Sequence, residues 1–133
     1  MRTQGVEQRH FMDYFTTTSA ASRQKAGCLI VGIYESGKLS TAAAEIDTAT
    51  GGAVKRLAKR GDLSGELGES RMLCSLEGIR ADRVVIVGLG QEEKFGVAEL
   101  RQAMAAAARA FRGSKVQEVV NYLTVEDVAG SSA

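Results

Sequence analysis

The chain contains no proline and no tryptophan, and only one histidine and two cysteines in 133 residues. Each shortage removes a class of explanation. Without proline there is no X-Pro bond whose slow isomerisation could limit folding. Without tryptophan, and with aromatic residues at 5%, the core must rest on aliphatic side chains. The single histidine, His10, stands in a polar stretch near the start, where no third group can orient it, so a histidine-based catalytic triad is excluded. Structural zinc normally takes four Cys or His ligands, whereas His10, Cys28 and Cys74 supply three at spacings that match no zinc pattern. Both cysteines fall in apolar, strand-like runs, which predicts two buried, reduced thiols.

Long apolar runs and a charge of one sign are missing too. Cys28 to Ile33 and Val84 to Val87 are far shorter than the roughly 20 residues that cross a bilayer, so no membrane partner is expected. Residues 1–10 lack the apolar core of a signal peptide, which makes the cytoplasm the expected location. Seventeen Lys and Arg against sixteen Asp and Glu leave a net charge of +1, giving no global attraction to nucleic acid or to an anionic surface. With 44% hydrophobic and 25% charged residues the chain falls in the soluble globular class, at the size of one domain. The acidic groups, Glu92-Glu93, Asp62 with Glu66 and Glu69, and Glu126-Asp127, sit among turn and surface residues and read as solvated loop charge rather than an acid–base pair.

Residues 1–11 read as a flexible N-terminal extension and 12–133 as one domain, because organised alternation begins only at Tyr14-Phe15-Thr16-Thr17-Thr18. Residues 28–34 are continuously apolar, as befits a central strand covered on both faces. Ser40 is a helix N-cap without a capping box, since Ala43 follows three residues on. Leu39, Ala43, Ile46, Thr50, Ala53 and Leu57 form one helical stripe, in which Gly51-Gly52 predicts a kink. Gly61 supplies the left-handed residue that ends that helix. A third strand is expected over 71–76, a fourth and most hydrophobic over 83–90, and a last one over 116–124. Before the last, Val97, Leu100, Met104, Ala107, Ala108 and Phe111 repeat on one helical face, with Gly113 closing the helix. Nineteen alanines, clustered at 42–44 and 103–108, let these helices lie close to the sheet. Strands alternating with helices imply a three-layer α/β/α fold: a mixed sheet with helices on both faces.

Two local features invite a ligand. Gly88-Leu89-Gly90 follows a strong strand and precedes a helix, but a dinucleotide fingerprint needs a third glycine where Glu93 stands, next to Glu92, and two carboxylates oppose a pyrophosphate. A tight strand exit is the reading that fits. Lys55, Arg56, Lys59 and Arg60 crowd the last turns of a helix, where cations complement the dipole; the same four are candidate nucleic-acid contacts.

Four segments stand in order: Val-Gly-Ile-Tyr-Glu at 31–35, an alanine-rich helix, Lys-Arg-Gly-Asp-Leu-Ser-Gly-Glu-Leu-Gly at 59–68, and Arg-Val-Val-Ile-Val-Gly-Leu-Gly at 83–90. From about Met12 to Val128 the chain resembles the N-terminal domain of the leucyl aminopeptidases, or cytosol aminopeptidases. The resemblance implies a macro-domain-like fold in the smaller part of a cytoplasmic homo-hexamer that releases N-terminal residues from peptide substrates. It also implies that the chemistry belongs to a C-terminal catalytic domain, where two divalent metals, zinc or manganese, activate a bridging water. The signature of that domain, Asn-Thr-Asp-Ala-Glu-Gly-Arg, does not occur here, so no catalytic, cofactor-binding or metal-binding residue is assigned to any position, and the chain reads as an inactive fragment of its parent. Two alternatives remain: a stand-alone module for a nucleotide-like ligand, and a DNA-binding domain that uses the basic cluster at 55–60.

Overall fold

The structure, a computed structural model, describes residues 13–15, 23, 25–112 and 118–123. In chain order its elements are β1 (Asp13–Phe15), β2 (Cys28–Tyr34), α1 (Thr41–Ala49), α2 (Ala53–Lys59), β3 (Ser70–Cys74), β4 (Arg83–Gly90), α3 (Val97–Phe111) and β5 (Glu118–Asn121). The strands make one mixed sheet in the order β1-β5-β2-β4-β3, with β3 antiparallel to β4 and every other pair parallel. The two unbroken apolar runs occupy its middle: all of β2, and all of β4 except Arg83, are buried. Strand residues alternate between the two faces. Leu29, Val31, Ile33, Val84 and Ile86 meet Ala42, Ala43 and Ile46 of α1 and Val54 of α2. Cys28, Ile30, Tyr34, Val85, Val87 and Leu89 meet Ala103, Ala106, Ala107 and Phe111 of α3 on the other side. The α/β/α layering and the mixed sheet expected from the sequence are therefore present.

Several local expectations are corrected. The single kinked helix is two helices, because Gly51 and Gly52 both adopt left-handed backbone, with φ of +73° and +92°. That break resets the helical phase, so Val54 is buried while Ala53 is half-exposed, and Leu39 lies outside α1 in a bridge to Ile33. On α3, Val97 is 60% exposed and Ala108 is exposed as well. Phe95, just before the helix, fills the core where the first turn of α3 does not reach. β3 stops at Cys74 because Ser75 takes a φ of +57° and donates its N–H to the Asp82 carbonyl at 3.0 Å. Cys74 is exposed, against the expectation of a second buried thiol, since it ends a strand at the edge of the sheet. Ser40 does cap α1, its Oγ accepting from the Ala43 N–H at 3.2 Å. The extension at 1–11, Glu126-Asp127 and Gly113 lie outside the described residues. No helix among the described residues is long and apolar enough to cross a membrane.

Candidate functional site at the ends of the central strands

From the end of β2 the chain passes to α1 and α2 on one face, and from the end of β4 it passes to α3 on the other. In open α/β sheets such a divergence leaves a crevice beyond the carboxyl ends of the two strands, where ligands bind. Here the crevice is occupied by the protein itself. The loop after α2 folds over it: the Gly90 N–H donates to the Gly65 carbonyl at 2.8 Å, and the Gly88 N–H donates to the Glu69 carbonyl at 2.7 Å. Across β2, the Glu35 N–H donates to the Gly90 carbonyl at 2.9 Å.

The Gly-Leu-Gly sequence is explained by this closure. The β2–β4 register shifts between Ile33 and Tyr34, so Tyr34 pairs with Gly90 and Leu89 is bulged out of the ladder. A side chain on Gly88 would collide with the Glu66 carbonyl oxygen, and one on Gly65 with that of Tyr34. Leu89 is buried beside Tyr34 and Phe95, whose rings meet edge to face at 6.0 Å. A short 3₁₀ turn, Glu92–Lys94, separates Gly90 from α3, and Lys38 Nζ pairs with Glu92 Oε2 at 2.6 Å across the rim. The motif is a tight strand exit, as read from the sequence.

Two carboxylates hold the loops around this closure. Asp47, on the core-facing side of α1 and 6% exposed, accepts the Lys55 N–H at 2.8 Å and so caps the first turn of α2, which has no capping side chain of its own. Sequence reasoning missed it; the available signal was a carboxylate at 47 on the same helical stripe as Ala43 and Ile46, just ahead of the glycine pair. Glu69, expected to be solvated loop charge, has a side chain only 15% exposed, because the amides of Ser64 and Gly65 close on it. Asp62 does face solvent, paired with Arg60 at 3.3 Å. Glu99 accepts the Gly96 N–H at 3.0 Å, one half of a capping box at the start of α3.

Lys55, Arg56, Lys59 and Arg60 are all exposed, but they do not all crowd the end of the helix as expected: α2 has only seven residues, Lys55 stands in its first turn, Arg56 and Lys59 in its last, and Arg60 is the capping residue beyond it. Two are engaged: Arg56 Nη1 donates to the Gly51 carbonyl at 2.7 Å, and Arg60 pairs with Asp62. Arg56 thus reaches back toward the glycine break rather than forward to the end of α2. Burial pushes the Cys28 thiol up to about 12, although a backbone hydrogen bond with Val85 and the Arg83 charge pull the other way. An inert thiol is the consequence. Among the described residues no three His, Cys, Asp or Glu side chains come together in a group that could hold a metal ion.

The sequence profile of the cytosol aminopeptidase family, N-terminal domain, matches residues 30–133. The chain belongs to the cytosol aminopeptidase family, as its N-terminal domain. Similar proteins include the probable cytosol aminopeptidase of Halorhodospira halophila, 38% identical over 119 residues, a match that covers 90% of this chain and 24% of that protein. The probable cytosol aminopeptidase of Nitrosococcus oceani is 38% identical over 109 residues, 82% of this chain and 22% of that protein. The chain therefore spans about a quarter of the length of the curated relatives it matches. In three dimensions it is similar to a mutant of tomato leucine aminopeptidase, with a TM-score of 0.65 at 19% identity over 95% of this chain and 27% of that one. It is likewise similar to the macrodomain of Mycobacterium tuberculosis DarG, with a TM-score of 0.63 at 13% identity over 87% of this chain and 84% of that one. The chain thus has the macro-domain-like fold expected from its sequence.

Proposed function

We propose that this domain is the non-catalytic part of a metal-dependent aminopeptidase that releases N-terminal residues from peptides in the cytoplasm. The observation that carries this reading is the family match over 30–133 in a chain covering only 24% of a relative such as that of Halorhodospira halophila. The parent's two divalent ions, zinc or manganese, belong in this reading to the C-terminal catalytic domain. The described residues do not fit them, since no donor group assembles here. What the domain contributes is assembly of a homo-hexamer or shaping of access to the active site. Its central crevice, closed by its own loop, offers no open place for a substrate.

The test separates the two parts of the parent. Expressed together as two polypeptides, this chain and the catalytic part should co-elute as one assembly that hydrolyses leucine p-nitroanilide, whereas the catalytic part alone should assemble less completely. Full assembly and unchanged turnover without this chain would defeat the proposal.

Nucleic-acid contact through Lys55, Arg56, Lys59 and Arg60 is the second reading, favoured by their shared exposure on α2 and at its end. It must work against the bonds that already hold Arg56 and Arg60. The nucleotide-module reading is disfavoured by the closed crevice, and a thermal shift with ADP-ribose would revive it.

A further inference from the structure

We propose that the Ser64-Gly65 turn is an oxyanion-binding site which the chain fills with its own Glu69. Two consecutive backbone amides converge on one carboxylate oxygen: the Ser64 and Gly65 N–H groups donate to Glu69 Oε1 at 2.9 and 2.8 Å. The Ser64 N–H also reaches Oε2 at 3.2 Å, and Ser64 Oγ donates to the same oxygen at 3.3 Å. The Arg71 guanidinium stands 3.9 Å from Oε2, adding positive charge. Ser64 Oγ in turn accepts from the Glu66 N–H at 3.2 Å, which fixes the hydroxyl so that its proton points at the carboxylate.

Successive amides brought into one concavity by a left-handed residue, here Gly65 with a φ of +83°, form a nest of the kind that binds phosphate. Its position is a second and independent observation. The nest lies over the divergence of β2 and β4, where Gly65 receives the Gly90 N–H and approaches the Tyr34 carbonyl. That is the place where this class of sheet binds ligands.

Glu69 occupies the nest under tight constraint. Its N–H donates to the Glu66 carbonyl at 3.0 Å and its carbonyl accepts from Gly88, so the backbone on both sides of its side chain is anchored. A tethered carboxylate acts at a high effective concentration, and a free oxyanion must displace it to bind. The fold therefore keeps the amide donors of an anion site while closing that site from within. This inference rests on the geometry of residues 64–71 and is independent of the aminopeptidase assignment.

Chemical rescue tests it. Glu69→Ala should melt at a lower temperature than the unsubstituted chain in chloride. In formate or inorganic phosphate at matched ionic strength it should recover by at least about 3 °C more than the unsubstituted chain does. The Ser64 and Gly65 amide resonances should move on titration with phosphate in the variant and stay fixed without the substitution. If Glu69→Ala does not fold, Glu69→Gln keeps the volume, loses the charge and is read by the same amide titration. Amides in a folded variant that ignore tens of millimolar phosphate, or that respond alike with and without the substitution, would overturn the proposal.

Discussion

On one face of the sheet a single 15-residue helix, α3, lays Ala103, Ala106, Ala107 and Phe111 against the strands, while on the other face α1 and α2 divide the same task between nine and seven residues. The α3 face is built by repetition, since small side chains at helical spacing let the backbone lie close to the sheet. The α1/α2 face is built by punctuation. Two left-handed glycines break the helix, and the buried carboxylate of Asp47 satisfies an amide that the break leaves open. Continuous burial tolerates approximate phase, as the exposure of Val97 and Ala108 shows, but a broken helix depends on single hydrogen bonds.

The largest test concerns what both faces share, the central pair of strands. Ile86 is fully buried toward α1 and α2, so Ile86→Ala should leave a cavity and lower stability by about 2–5 kcal/mol in urea melts, with little change in the denaturant slope. A loss under 1 kcal/mol would mean that this face yields far more easily than the packing implies.

The two carboxylate caps then compare the faces directly. Asp47→Ala strips a buried cap and leaves the Lys55 amide without its partner, for an expected loss of about 1–3 kcal/mol. Glu99→Ala removes a half-exposed cap from α3 and should cost about 0.5–1 kcal/mol, because water can replace it. Equal losses would erase the distinction between punctuation and repetition.

A pH measurement examines burial on the α3 face alone. Cys28 is held above its ordinary value of 9.0, at about 12, so its neutral form is the one that the fold accommodates. The stability it confers is complete below pH 9.0 and is lost as pH rises from there toward about 12. The expected slope is at most about 1.4 kcal/mol per pH unit. Cys28→Ala should lose this component of the alkaline decline, and denaturation midpoints across that range would show whether it does.

The smallest effect belongs to the basic cluster. Lys59 stands in the last turn of α2 but Lys55 stands in the first, so Lys59→Gln should cost about 0.3–1 kcal/mol at low salt and the double change of Lys55 and Lys59 to Gln no more than that. DNA binding should be no tighter than about 10 µM at physiological salt. Filter binding that is tighter, and lost in the double variant, would make α2 a nucleic-acid surface.

What the sequence made legible follows the same division. β2 and β4 were readable to the residue because continuous apolar runs have one reading in a buried parallel sheet. The Ser40 cap and the Gly61 stop were readable because capping chemistry is local. The exposure of Cys74 was not, since edge or centre is decided by strand order, which no local pattern encodes. Asp47 and Glu69 were hidden for a related reason. Their partners, the amides of residues 55 and 64–65, meet them only once the chain has folded back on itself, and a carboxylate looks the same in sequence whether it faces water or a set of amides.

If, as proposed, this chain is the part of an aminopeptidase that carries no chemistry of its own, the purified chain should be inactive and metal-free in solution. The purified chain is given leucine p-nitroanilide with zinc or manganese, and metal binding is followed in parallel by calorimetry. No turnover and no micromolar metal binding are predicted, because the described residues gather no donor group and the catalytic signature does not occur in the sequence. Metal-dependent release of p-nitroaniline by contamination-free protein would show that the domain carries chemistry of its own.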